Sequence, residues 1–270
     1  LDTLLGKAQL RKDQVGLIFS GDLLNQCIGS SFTLRNRRIP HLGLYGACST
    51  MAESMAVGAA FVNAGYCKRV VAATGSHFSS AERQYRYPLE LGNTRPPQAQ
   101  WTVTGSGAAL LTKDGQGPYI HAVCTGKIID MGIKDANNMG AVMAPSAVKT
   151  LKEHLEFTNT KVSDYDLILT GDLGKYGAEL FKTLLKEDYG INIKNHIDAG
   201  SIIYKEEQEK YSGGSGPVCL PLILFNNILQ NKRYKKILVI GTGSLHCPTL
   251  VKQKLSIPSI SHLISLEVNL

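Results

Sequence analysis

Residues 41–67 read HLGLYGACSTMAESMAVGAAFVNAGYC, and the fold turns on how that stretch is parsed. It opens as a short apolar strand over 41–45 and passes through the small residues Gly46 and Ala47. Cys48, Ser49 and Thr50 then lead into a run with few polar side chains. A helix over about 51–64 carrying Ala, Gly, Met and Val on nearly every face is a buried helix. Ser49 or Thr50 can cap it, and Glu53 stands where a capping box needs its acid. Cys48 therefore sits where a strand hands over to the N-terminus of a buried helix. There the positive end of the helix dipole would lower a thiol pKa and attract an anion. The plainer alternative is a small buried hydrophobe, because free cysteine is often fully buried.

Working outward, the 270 residues suit one large domain or two packed halves. Hydrophobic content of 43% and charged content of 19% are ordinary for a globular chain. The net charge of +7 comes from scattered Lys and Arg. That pattern argues for anionic small ligands or an acidic surface, and against a dedicated nucleic-acid face. Six cysteines without a CxxC pair indicate neither a zinc site nor a disulfide framework, and fit a reducing, cytosolic compartment. No apolar run reaches membrane-spanning length, and no signal peptide is visible. The sequence opens without Met inside an expected helix over 1–10, so it reads as a fragment lacking an opening strand and helix.

Before the central stretch, 14–20 (QVGLIFS) reads as a buried strand and 23–35 as a helix capped by Asp22. After it, 69–74 (RVVAAT) is a continuous apolar strand of the parallel-sheet kind, ending at Gly75, Ser76 and His77. Residues 78–101 read as one long polar loop, a length that is usually functional or an interface. A strand over 102–112 with a Gly-Ser-Gly break and another over 119–129 follow, then an irregular link over 130–144. The rhythm then repeats: helix 145–157, strand 165–170, helix 178–187, a strand-like piece at 201–204. A glycine turn at 212–216, an apolar helix over 217–229 and strands over 236–241 and 260–268 complete it. The expected halves are 1–140 and 141–270. Strand C-terminal ends carry Gly, Ser, Asp or His, where open α/β sheets bind ligands.

The order strand–GAC–buried helix, long loop and second α/β half resembles the thiolase superfamily. Its ketoacyl synthase branch places a nucleophilic cysteine at such a helix start. YGACST at 45–50, SGDLLNQ at 20–26, AERQYRYP at 81–88 and TVTGSGA at 102–108 are similar to a sporulation family within it. So are DYDLILTGDL at 164–173, GGSG at 213–216 and IPSISH at 257–262. The resemblance implies a five-layered αβαβα fold of two similar halves, missing here its first part, and a homodimer. It further implies binding of dipicolinic acid, pyridine-2,6-dicarboxylate, alongside other SpoVA membrane proteins. That machinery would take the acid up during sporulation and release it in germination, at the cytoplasmic face of the spore inner membrane.

Acyl transfer in that branch needs a histidine and an asparagine beside the cysteine. The histidine's place after strand 165–170 holds Gly171, Asp172, Leu173 and Gly174, and the asparagine's place falls in 213–216, which carries no amide. No catalytic residue is therefore expected, and Cys48 is a vestigial nucleophile. An anionic Asp172 cannot donate to an oxyanion and repels a carboxylate unless a cation, such as Ca²⁺ chelated by the ligand, accompanies it. The expected ligand-binding set is Cys48, His77, Arg83, Arg86, Asp172, Gly213, Gly214, Ser215 and His246. Backbone N–H groups would come from the helix start and the glycine turn, and bidentate contacts from Arg83, Arg86 and Arg95. Each arginine read alone is a solvated or interface residue, and His246 alone is a hydrogen-bonded strand-end histidine. Tyr85 and Tyr87 could stack on a flat ring, and Glu82 would pair with an arginine. No resident metal or cofactor is expected. Two other readings stay open: a β-ketoacyl synthase III-like acyltransferase using Cys48, and a structural subunit with a vestigial pocket.

Overall fold

The computed structural model describes residues 1–86, 92, 94–208, 210–231 and 233–268. In chain order the strands are β1 (Leu17–Gly21), β2 (His41–Gly43), β3 (Arg69–Ser76), β4 (Trp101–Thr102), β5 (Gly105–Thr112) and β6 (Tyr119–Thr125). They continue as β7 (Leu167–Thr170), β8 (His196–Asp198), β9 (Gly214–Ser215), β10 (Lys236–Ser244) and β11 (Ser259–Glu267). One sheet has the order β2-β1-β3-β5 and the other β6-β11-β10-β7-β8. The first three strands of β2-β1-β3-β5 run parallel and β5 runs antiparallel, as do β8-β7-β10 and β11 in the second sheet. The two sheets thus share one topology, and the second adds β6 beyond β11.

Alternation along the strands makes the layers. On β7 and β10, Ile168, Leu238 and Ile240 pack outward against the helices Met139–Thr158 and Gly174–Tyr189. Their neighbours Leu167, Leu169, Ile237 and Val239 pack inward against Met51 and Met55 of the helix Thr50–Asn63. In the first sheet Phe19 and Val70 pack inward with Val62, while Ile18 and Val71 pack outward with Leu5 of the helix Asp2–Lys7. The helix Thr50–Asn63 touches strands of both sheets. The result is the thiolase-like five-layered αβαβα arrangement of two similar halves, with the stretch that opened the sequence reading at its centre.

Several expectations shift. The helix after Asp22 starts at Ile28, following a 3₁₀ turn Asn25–Cys27 in which Gln26 and Cys27 have positive φ. Asp22 still caps it, accepting the N–H of Ser30 at 2.7 Å from eight residues upstream. The expected loop over 78–101 begins as a helix, Phe78–Tyr85, and the Gly-Ser-Gly break lies inside the unbroken strand β5. The link over 130–144 ends earlier, because the following helix starts at Met139 and tolerates Pro145 in its second turn. Residues 199–202 form a helical turn (Ala199–Ile202) in place of a strand, and the strand precedes it as β8. Strand β6 lies before residue 140 in sequence yet pairs into the second sheet. Among the described residues no helix is long and apolar enough to cross a membrane.

Candidate ligand site around Cys48

The turn that carries Cys48 is held against β10 by absent side chains. A Cβ on Gly241 would lie 2.7 Å from the Cβ of Ala52, and one on Gly243 would lie 2.3 Å from the carbonyl oxygen of Gly46. Thr242, between them, points to the other face, where its hydroxyl donates to Asp172 Oδ1 at 2.8 Å. The Thr242 hydroxyl oxygen in turn accepts the Asp172 N–H at 3.0 Å. Gly216 donates its N–H to Asp172 Oδ2 at 2.7 Å, and Gln100 Nε2 donates to the Asp172 carbonyl at 2.7 Å. The Cys48 thiol lies beside the same carboxylate, near enough for each group to shift the other's pKa. One aspartate therefore joins the cysteine turn of the first half to the second-half segments that carry Gly216 and Thr242.

The helix start itself is built differently from the expected capping box. Ser49 Oγ donates to the Gly46 carbonyl at 2.7 Å, and Thr50 Oγ1 donates to the Ala47 carbonyl at 2.7 Å. Both hydroxyls turn back into the 3₁₀ turn Ala47–Ser49, where Ala47 holds φ of +50°, so neither caps an N–H further along. Glu53 is left with its Oε2 buried and without a partner among the described residues. Burial pushes its carboxyl up to about 7.

Electrostatics overturn the expected acidic thiol. Cys48 is 8% exposed. Burial raises its pKa well above the ordinary thiol value, and the charge of Asp172 and the hydrogen bond to it raise it further. The Gly216 N–H and Arg86 pull the other way and lose. Burial likewise lifts Asp172 to about 7, against the Gly216 N–H, the Cys48 thiol and the Thr242 hydroxyl. Asp172 is thus no bare anion facing a ligand. Its oxygens are already occupied by donors, and the sulfur it contacts is a protonated thiol.

Around the sulfur the wall is formed by Leu23, Ala81 and Tyr85. Tyr45 and Tyr85 share a hydroxyl–hydroxyl hydrogen bond of 2.5 Å, and both hydroxyls reach the Leu23 carbonyl. Arg86 follows Tyr85 and bonds Glu82 Oε1 at 2.9 Å, while Arg95 bonds Glu82 Oε2 at 2.9 Å. Burial opposes the charge on Glu82, but the two guanidinium groups and the Thr102 N–H outweigh it and hold the carboxyl below its usual range. His246 lies beyond β10 with its ring 5.2 Å from that of Tyr85. Burial, and then Arg86, depress its pKa to about 4. His246 Nδ1 and Arg86 Nε are both buried and have no partner among the described residues. A cleft of about 460 Å³, lined by His246, Tyr45, Gln84 and Asn25 among others, opens beside His246.

The structure therefore brings Cys48, Arg86, Asp172 and His246 together. His77 is elsewhere: it is exposed, precedes the helix Phe78–Tyr85, and lines a separate cavity of about 1230 Å³ along β3 and β5. Arg83 lies on the exposed side of the same helix. Tyr87 lies outside the described residues. The glycine turn serves as wall and scaffold more than as a free nest of donors. Gly213 donates to the Lys210 carbonyl at 2.7 Å, and Gly214 and Ser215 form β9, which pairs with β4. A Cβ on Gly213 would meet the Gly200 carbonyl oxygen at 2.3 Å, at a φ of +111°. Thr242, Gln100 and Tyr45 escaped the sequence reading, whereas Gly216 belongs to the glycine turn expected to offer N–H groups and gives its N–H to Asp172. Thr242 had a signal, a hydroxyl residue isolated between two glycines on a buried strand end; Gln100 had none.

Among solved structures the chain is similar to 3-oxoacyl-[acyl-carrier-protein] synthase III from Aquifex aeolicus, at 15% identity and a TM-score of 0.58, covering 97% of this chain and 80% of that one. It is also similar to AbyA1, a tetronic acid condensing enzyme, at 15% identity and a TM-score of 0.63, covering 98% and 83%. Xanthomonas campestris OleA matches at 14% identity and a TM-score of 0.61, covering 97% and 78%. These likenesses establish the fold. Stage V sporulation protein AD of Bacillus subtilis is 42% identical over 266 residues, 97% of this chain and 78% of the relative. The family model for stage V sporulation protein AD matches residues 1–267, and the chain belongs to that family.

Proposed function

We propose that this protein is a non-catalytic, thiolase-fold binder of dipicolinic acid, acting within the SpoVA machinery that takes the acid up in sporulation and releases it in germination. The reading is supported above all by the state of the cysteine pocket. His246, with an unpaired ring nitrogen, lines a cleft near the cysteine turn, while the buried thiol stays protonated beside a buried carboxylate. A condensing enzyme needs its thiolate free and its oxyanion donors in place. Here Asp172 takes the proton-accepting position without offering a base to a substrate. The protein would act as a homodimer, peripheral to the spore inner membrane, in contact with SpoVA membrane proteins and without nucleic acid. Ca²⁺ would enter chelated by the ligand, because both oxygens of the Asp172 carboxylate already accept a hydrogen bond.

A thermal-shift titration with dipicolinate, with and without Ca²⁺, tests this. A ligand that binds only the folded state raises the melting temperature with concentration. No shift in either series would sink the reading. Acyl-CoA incubation followed by mass spectrometry tests the acyltransferase alternative; a stable adduct on Cys48 would establish turnover chemistry instead.

A further inference from the structure

We propose that the surface carrying Ile128, Met131, Leu250 and Leu255 seats the protein directly on an anionic lipid bilayer. The inference deepens the peripheral placement in the reading above, by naming the face and by making the contact one with lipid. Its first support is the build of that surface. Residues 127–135 follow β6, and 247–258 connect β10 to β11. The two segments are tied together along their length. Ile129 and Ser259, the first residue of β11, exchange backbone hydrogen bonds of 2.9 and 2.8 Å, and the Ile257 N–H donates to the Ile133 carbonyl at 2.8 Å. The Ser256 hydroxyl donates to the Asp130 carboxylate at 2.6 Å. A tight turn with Lys254 at a φ of +63° then brings the Leu255 N–H to the Leu250 carbonyl at 3.1 Å. The backbone is thus fixed while the large side chains stay in solvent: Ile128 is 63% exposed, Met131 64%, Leu250 44% and Leu255 51%. Single exposed apolar residues are ordinary, but aliphatic side chains grouped on adjoining, fixed segments mark an interaction surface.

Its second support is charge, which also selects the partner. Lys134, Lys252 and Lys254 are exposed and form no ion pair among the described residues, while Lys127 pairs with Glu153. The acids of the two segments are held locally. Asp130 accepts from Gly132 and Ser256, and Asp135 from Asn137 and Gln98. The chain's net charge of +7 adds attraction at longer range. Protein interfaces favour aromatic residues and arginine and are depleted in lysine. A second copy on this face would set lysines against lysines. An anionic bilayer accepts both kinds of side chain, the aliphatic ones at the acyl boundary and the ammonium groups among the headgroups.

The experiment is flotation of the wild-type protein with vesicles of phosphatidylglycerol and phosphatidylcholine in equal parts, at low and at high salt, and with vesicles of phosphatidylcholine alone. Binding to the anionic vesicles is expected, weakened by salt and about tenfold weaker without phosphatidylglycerol. Leu250→Ser combined with Leu255→Ser should reduce it about tenfold. Lys252→Glu combined with Lys254→Glu should abolish the preference for the anionic lipid, and Phe157→Ser, on the 93% exposed residue near the end of the helix Met139–Thr158, should change nothing. Leu255→Trp adds a local readout beside the single native Trp101, a blue shift in emission on anionic vesicles that the wild type does not show. Flotation retained in full by the leucine variant, or no blue shift from Leu255→Trp, overturns the proposal. A wild type that stays off every vesicle also overturns it, and leaves dipicolinate binding to be judged by its own thermal shift. If the leucine variant then changes oligomeric state, the surface belongs to a second copy instead.

Discussion

The ends of β7 and β8 lie side by side, and each carries a buried aspartate, yet the two do different work. Asp198 accepts from the Thr170 hydroxyl at 2.7 Å, the N–H groups of Leu173 and Gly174 at 2.9 Å, and the N–H and hydroxyl of Ser201 at 2.8 and 3.0 Å. Every donor lies in its own half, within the segment 170–201. Asp172 accepts from Gly216 and Thr242, far apart in sequence, and lies beside the Cys48 thiol of the first half. One carboxylate closes a local corner. The other fastens the central cysteine turn to the second sheet, and its chemistry is felt by the sulfur.

The sharpest way to break the comparison is to remove the local corner. Asp198→Ala strands several buried donors at about 1–3 kcal/mol each, so a loss of the cooperative thermal transition is expected by calorimetry. Survival of a melting curve within a few degrees of wild type would show that the corner is not a keystone. Asp172→Asn should keep the fold, by near-ultraviolet circular dichroism, and release the thiol. Alkylation of Cys48 by iodoacetamide at pH 8 should then run about tenfold faster, following the fall in thiol pKa. An unchanged rate would mean that burial alone, and not the carboxylate, holds the proton.

Smaller effects come from buried groups that lack such donors. His246 titrates at about 4 in the folded chain, below the unfolded imidazole near 6.5. The unfolded state therefore binds more protons between those values, and stability falls as pH drops from about 6.5 towards about 4. Melting curves of His246→Gln should be flatter over that window than those of the wild type. Glu53 has the opposite sign. Its folded value of about 7 exceeds the unfolded one, so its contribution is lost as pH rises from about 4 through 7. Glu53→Gln should be about 1 kcal/mol more stable than wild type at pH 8, or a few degrees in melting temperature, and equal to it at pH 4. Equal curves at both pH values would mean that Glu53 has a partner in solution.

Much of this architecture was legible in residues 41–67, because a helix with no polar face has only the space between two sheets to occupy. The position of Cys48 and the strands flanking it followed. What escaped was set by contacts distant in sequence. The helix Phe78–Tyr85 lies in a polar stretch, and its buried residues are only Ala81 and the ion-paired Glu82, too few to raise a periodic apolar signal. The thiol's pKa could not be read from its place at a helix start, because it is raised first by burial and then by Asp172, 124 positions along in a strand-end loop. His77 and His246 looked equivalent in sequence, each just past a glycine-bearing strand. Only the packing of Tyr85 against His246 separates the pocket residue from the one facing the other cavity.

The proton that burial, reinforced by Asp172, keeps on Cys48 also bears on how the molecule ages. Oxidation to sulfenic acid and exchange into mixed disulfides both start from the thiolate, so a sulfur held in its neutral form meets peroxide slowly. The five remaining cysteines are free as well, and none is bridged to Cys48. A sulfur held this way stays chemically intact over long waits without a reductant to restore it.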